Sequence, residues 1–275
     1  MKKLTRTLSL ILTLLLAAAL MTGGLSVKAV AACGRLDMGD VVQMGDFEGL
    51  SHYIVFYPEA LETSDAQWPV VVWANGTVCA PVLYTGLLKA VAAQGFVVVA
   101  SADVMSGSGE SQIAELDYIL AQGQTEGSVF CGRLDASRIA AVGHSQGGRS
   151  VVNACAADPR ICCAVSIAGS PFRSEARKLS VPTLFLTATA DLIVLSSMWV
   201  EPAFNNCRGP AVYASLKNGI HTSCMLKPDV YANYCVQWLR AWLNGDAAAL
   251  DVFRPGGALS ADGAWKDYAA KNLPA

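Results

Sequence analysis

The amino-acid sequence predicts an α/β fold, a mostly parallel, doubly wound sheet flanked by helices. Three observations point to it. Strand-like runs alternate with helix-like segments along residues 52–243, the pattern of successive βα units. Several of the strand-like runs are continuously apolar, as strands covered on both faces are. The chain has 275 residues, 53% of them hydrophobic, with no internal repeat, linker or second core, which suits one large domain.

The elements follow in order. Residues 52–57 (HYIVFY) and 69–74 (PVVVWA) are β-branched and aromatic runs and predict strands. Residues 80–93 have helical spacing and end near Gly95, and 96–100 (FVVVA) predict a buried strand. Residues 110–121 place Ile113, Leu116, Ile119 and Leu120 on one helical face. Residues 138–142 predict a short strand and 146–156 a helix. Strands are predicted at 163–168, 183–187 and 211–216. An amphipathic helix at 228–243 is closed by Asn244-Gly245. The tail after Asp251 is rich in Gly, Ala and Pro and predicts no regular element.

The first residues read as a secretory signal, 1–32. Lys2, Lys3 and Arg6 form a basic start, and 8–21 is an apolar run shorter than a membrane span. Ala29-Val30-Ala31 fits the A-x-A cleavage pattern. The remaining domain is then 33–275, in a secreted or periplasmic protein. Val30-Ala31-Ala32-Cys33 also resembles a bacterial lipobox. Against lipidation of Cys33, Lys28 and a glycine-containing stretch separate it from the apolar run.

Net charge is −2 and charged residues make up 15% of the chain, which leaves no electrostatic footprint for nucleic acid. A monomer with no obligatory membrane partner is expected. Nine cysteines, an odd number, leave at least one unpaired within the chain. None has zinc-ligand spacing, so no metal is expected. Export permits disulfides, and Cys207–Cys224 is the expected pair.

Gly143-His144-Ser145-Gln146-Gly147 fits G-x-S-x-G between a predicted strand and a predicted helix, the context that a nucleophile elbow requires. A serine on such a turn projects its hydroxyl above the sheet, and the flanking glycines leave room for the crossing. Serine needs a base to take its proton. The chain offers three histidines, His52, His144 and His221. His144 is adjacent to Ser145 and cannot turn back onto its hydroxyl. His52 precedes the core strands, whereas elbow hydrolases order their residues Ser, acid, His. His221 remains, in a loop after 211–216.

The acid should lie between Ser145 and His221 at the carboxyl end of a strand. Asp158, Glu175, Asp191 and Glu201 are available, and Asp191 alone closely follows a strong strand. Asp158 beside Pro159 and Glu175 in a polar loop are expected to be solvated. Charge developing on a carbonyl oxygen calls for backbone N–H donors. Gln146, after the nucleophile, and Thr77, in the loop after 69–74, are the expected pair.

The run Arg133-Leu134-Asp135-Ala136-Ser137-Arg138-Ile139-Ala140-Ala141-Val142-Gly143-His144-Ser145-Gln146-Gly147-Gly148 resembles the nucleophile region of bacterial cutinase-like polyester hydrolases, including poly(ethylene terephthalate) hydrolases. Gln94-Gly95-Phe96-Val97, Val181-Pro182-Thr183-Leu184 and the segment from Trp238 to Asp246 fit as well. The resemblance covers most of residues 66–253. It implies an α/β-hydrolase fold without a large lid, with a shallow ester site and a Ser145–His221–Asp191 triad that needs no cofactor. Dienelactone-hydrolase-like and acetylhydrolase-like esterases share the outline, and a serine peptidase on this fold is a further alternative. The chain departs from the resemblance at four places, one of them the absence of the family's cysteine near the acid. Gln146 stands for the usual Met, Thr77 for the usual aromatic, and Phe172 is the one aromatic in the loop that usually carries a Trp. Phe172 is therefore the candidate substrate-binding residue, and the substrate class spans small esters and polyesters.

Overall fold

A computed structural model describes residues 40–45 and 52–275. The signal segment 1–32 and Cys33 lie outside the described residues. Among the described residues, nine strands form one sheet: β1 (Val41–Met44), β2 (Tyr53–Pro58), β3 (Trp68–Ala74), β4 (Val97–Ser101), β5 (Leu134–His144), β6 (Ile161–Ile167), β7 (Thr183–Ala188), β8 (Ala211–Leu216) and β9 (Trp265–Lys271). Their spatial order is β1-β2-β4-β3-β5-β6-β7-β8-β9. The six strands from β4 to β8 run parallel, while β1, β2 and β9 pair antiparallel at the edges. The expected parallel, helix-flanked sheet is present.

The main helices are α1 (Thr85–Ala92), α2 (Glu110–Gln122), α3 (Gln146–Ala157), α4 (Arg173–Ala176), α5 (Val200–Asn206), α6 (Ser223–Leu226), α7 (Pro228–Leu243), α8 (Ala247–Asp251) and α9 (Ala258–Ala261). Strand alternation explains why helices cover both faces. Val70, Val72, Val97 and Val99 pack with Leu116 and Ile119 of α2 and Val151 and Ala154 of α3. The intervening Val71, Val98 and Ala140 are also buried. They belong to the opposite face, where α1 packs on α7 and α7 reaches β5 and β6. The continuous valine runs follow from this double burial. The predicted helix at 80–93 is shorter than expected. Pro81–Tyr84 forms a 3₁₀ turn, and regular helix begins only at Thr85.

The tail is more ordered than its composition implies. It supplies α9 and β9, which closes the β8 edge. Two aromatics hold it. Phe253 packs on Trp238 and Tyr234, and Trp265 on Tyr231 and Tyr234. Phe253 is fully buried, a contribution of about 2 kcal/mol.

Cys207 and Cys224 do not pair; both are buried free thiols. The reason is geometric. Cys207 precedes β8 and Cys224 follows it, so a strand of roughly 20 Å lies between them. A disulfide tolerates a Cα separation of at most about 7 Å. Cys79, Cys131, Cys155, Cys162, Cys163 and Cys235 are also free. Asp158 is not solvated as expected. It is buried and paired with Arg160, which also reaches Asp117. Among the described residues, no helix is long and apolar enough to cross a membrane.

Candidate active site

Ser145 sits between the end of β5 and the first residue of α3 with φ 57° and ψ −119°. A β-carbon residue rarely adopts that backbone, and surrounding contacts must hold it there. Its N–H donates to the Ile167 carbonyl at 2.8 Å. The flanking glycines are steric requirements. A β-carbon on Gly143 would stand 2.4 Å from the Gly147 carbonyl oxygen, and one on Gly147 would stand 2.0 Å from that of Ala74. No side chain fits between the elbow and β3.

Because β5, β7 and β8 are parallel, the loops after them open at the same end of the sheet. Ser145 follows β5, Asp191 follows β7, and His221 follows β8. The structure brings the three together. Ser145 Oγ lies 2.9 Å from His221 Nε2, and His221 Nδ1 lies 2.7 Å from Asp191 Oδ2. A carboxylate accepts, so Nδ1–H donates to it and Nε2 is left to accept the serine proton. The other Asp191 oxygen accepts the N–H groups of Ile193 and Val194 at 2.9 and 2.8 Å. Burial opposes ionisation of Asp191, but the hydrogen bond and charge of His221 and these two N–H groups outweigh it and hold the carboxyl below its ordinary range. The acid and base loops are also joined directly. Ala190 N–H donates to the Gly219 carbonyl at 2.9 Å, and Asn218 N–H to Thr189 Oγ1 at 2.8 Å.

Thr77 lies in the loop after β3, and Gln146 opens α3. The loop is pinned on both sides of Thr77. Gly76 N–H donates to Tyr84 Oη at 3.0 Å, and Val78 N–H to the Val104 carbonyl at 2.9 Å. The N–H groups of Thr77 and Gln146 take no part in the backbone bonds that fix their neighbours. Asn75, which sequence reasoning passed over, anchors the loop base. Its Nδ2 donates to the carbonyls of Ser101 and Asp103 at 2.8 and 2.9 Å, and its Oδ1 accepts from Trp73 Nε1 at 3.0 Å.

Phe172 follows β6 and is 48% exposed. The Arg149 guanidinium lies 4.4 Å from its ring centre, and the Trp199 ring 5.9 Å away. Glu175, expected to be solvated, instead grips Arg149 through both carboxylate oxygens and accepts the Phe172 N–H at 2.8 Å. An aromatic and its cation are thus fixed together beside the elbow helix. The surroundings are apolar. Among the described residues, every exposed large apolar side chain lies on a loop or short helix leaving the carboxyl end of β3, β4, β6, β7 or β8. Leu192 (86% exposed), Met105 and Met198 (58% each) are the most open. Exposed apolar groups are ordinary when scattered, but these gather on the loops at the end of the sheet that carries Ser145, Asp191 and His221.

Residues 26–268 match a family model described as PET hydrolase-like. The chain belongs to that family. As a PET hydrolase-like protein it has the α/β-hydrolase fold that the elbow motif implies. It is 28% identical over 199 residues to a bis(hydroxyethyl) terephthalate hydrolase of Streptomyces coelicolor, which covers 70% of this chain and 62% of that protein. It is 28% identical over 173 residues to cutinase est1 of Thermobifida alba, covering 60% of this chain and 57% of the other. Cutinase 2 of Thermobifida cellulosilytica is 23% identical over 76% of this chain and 80% of its own length. The chain therefore spans about three-fifths of the first two relatives. The family model reaches beyond residues 66–253, the stretch that the sequence resemblance covers, and includes residues 265–268 of β9.

Proposed function

We propose that this PET hydrolase-like chain is an exported serine ester hydrolase that acts through an acyl-enzyme. The observation that carries the reading is the continuous Ser145–His221–Asp191 hydrogen-bond chain, at 2.9 and 2.7 Å. His221 Nε2 takes the Ser145 proton as Oγ attacks the ester carbonyl carbon. Asp191 keeps the other ring proton on Nδ1 and stabilises the imidazolium that forms. The N–H groups of Thr77 and Gln146 hold the oxyanion, each such donor being worth about 3 kcal/mol in sites of this type. His221 then returns the proton to the departing alkoxide. Water gives a proton to His221 Nε2 as it attacks the acyl carbon, and the acid is released as the acyl–Oγ bond breaks and His221 returns that proton to Ser145 Oγ.

The substrate reading rests on the surroundings. An apolar rim with Phe172 held over the nucleophile helix favours esters with a bulky apolar or aromatic acyl part, including polyester chain ends. Two of the relatives, a bis(hydroxyethyl) terephthalate hydrolase and a cutinase, are named for ester hydrolysis, in agreement with it. The apolar run and A-x-A site within residues 1–32 support export.

The reading is tested with a fluorophosphonate probe and a substrate panel. Intact-mass and peptide analysis is expected to find one label, on Ser145, and bis(hydroxyethyl) terephthalate is expected to turn over faster than a matched anilide. Absence of label on Ser145 contradicts the mechanism. Faster cleavage of the anilide contradicts the ester assignment.

A further inference from the structure

His144, within the elbow, is 1% exposed and points away from the Ser145 hydroxyl. Its Nδ1 lies 3.0 Å from Tyr84 Oη, and its Nε2 lies 2.9 Å from the backbone carbonyl oxygen of His221. Tyr84, also 1% exposed, accepts the Gly76 N–H at 3.0 Å. The roles of these atoms follow from elementary chemistry. A carbonyl only accepts, so His144 Nε2 carries the proton. Burial, then the neighbouring His221, lowers the His144 pKa to about 3, so the ring is neutral and Nδ1 is an acceptor. Tyr84 therefore donates its hydroxyl proton to Nδ1 and accepts from Gly76. One directed chain results: Gly76 N–H to Tyr84, Tyr84 O–H to His144, His144 N–H to the His221 carbonyl.

The two ends of this chain are otherwise far apart in the fold. Gly76 follows β3 and His221 follows β8, with β5, β6 and β7 between them. No sheet ladder relates the loops directly. Gly76 adjoins Thr77, and a β-carbon on Gly76 would stand 2.9 Å from Tyr84 Oη and 3.2 Å from His144 Nδ1. The close approach needs glycine. The Tyr84 ring is wedged against Trp73 at 4.8 Å, and the His144 ring lies 4.7 Å from that of His221. The Cys79 thiol also neighbours the Tyr84 hydroxyl. A thiol is a weak acceptor beside an imidazole nitrogen.

We propose that Tyr84 and His144 are positioning residues that lock the oxyanion loop and the base loop into one frame, so that the Thr77 N–H and the His221 ring keep a fixed relation around Ser145. The inference rests on the ester-hydrolase reading above. Tyr84 acts through the backbone of Gly76, the neighbour of Thr77, and His144 acts through the backbone of His221. A frame of this kind raises kcat more than it changes KM, because alignment matters most once charge has developed.

The test measures kcat and KM for p-nitrophenyl acetate in Tyr84→Phe, His144→Gln, His144→Leu and Tyr84→Phe/His144→Leu, with Ser145→Ala as control. Circular dichroism at the assay temperature identifies folded variants. Tyr84→Phe is expected to lower kcat about 10- to 100-fold with KM within about threefold of wild type. His144→Gln restores an N–H donor and an oxygen acceptor, so it is expected to keep at least about tenfold more kcat than His144→Leu. The double variant is expected to be no slower than His144→Leu alone, as for two members of one chain. A folded Tyr84→Phe with wild-type kcat overturns the inference. So do equal kcat values for the two His144 variants, or losses that multiply in the double variant. If Tyr84→Phe does not fold, the His144 pair decides. Wild-type turnover by Ser145→Ala would instead overturn the underlying reading. An inactive Ser145→Ala beside a fully active Tyr84→Phe leaves that reading intact and removes only the positioning role.

Discussion

Gly147 and Ala74 approach so closely that a β-carbon on the glycine would stand 2.0 Å from the alanine carbonyl oxygen. The contact locks the nucleophile helix to the strand that leads into the oxyanion loop. Gly147→Ala is therefore expected to displace α3 from β3 and to destabilise the fold by about 3 kcal/mol or more. Thermal denaturation checks this: the midpoint should fall by roughly 6 °C or more, with esterase activity lost in step.

Asp191→Asn keeps an oxygen for the N–H groups of Ile193 and Val194 but presents an amide N–H to His221 Nδ1. That favours the tautomer with its proton on Nε2, which cannot accept from Ser145. Turnover of p-nitrophenyl acetate should fall by about 10⁴-fold. The circular dichroism spectrum should be unchanged.

The neutral buried His144 makes stability depend on pH. Its pKa is about 3 in the folded protein, against about 6.5 in an unfolded chain. A depressed folded-state pKa means that the unfolded state binds the proton first. Stability is therefore full above about pH 6.5 and is lost as pH falls toward 3, by up to about 1.4 kcal/mol per unit. Asp191, also depressed, adds its own loss only below the ordinary Asp range near pH 4. Urea denaturation between pH 6.5 and 4.5 should show this slope in wild type and a shallower one in His144→Gln.

With eight free thiols among the described residues, a reducing agent has no disulfide there to break. Dithiothreitol should move the thermal midpoint by less than about 2 °C. Loss of a disulfide worth about 3 kcal/mol would move it by roughly 6–12 °C.

The sequence made the central strands legible because burial on both faces forces long valine and alanine runs. Ser145, Asp191 and His221 were legible because each follows a strand, in a fixed order, with local signals of its own. The Tyr84–His144 contact spans 60 residues and has no local signature. His144 could be excluded as a base from its place in the motif, but its partners depend on how two loops meet. The tail reads as irregular because it is rich in Gly, Ala and Pro, whereas two buried aromatics, Phe253 and Trp265, decide its structure. Cys207 and Cys224 stand at opposite ends of β8, a separation that the predicted strand at 211–216 already implies and that an expectation of pairing leaves out of account. Asp158 and Glu175 read as solvated because a turn's composition does not show that Arg160 and Arg149 fold back onto them as ion-pair partners.

The measurement that bears most directly on the central claim is kcat for p-nitrophenyl acetate in Ser145→Ala, with circular dichroism and the thermal midpoint recorded on the same sample. A folded variant with kcat lower by about 10⁴-fold or more is the predicted result. A folded Ser145→Ala that keeps more than about a tenth of wild-type kcat would contradict it.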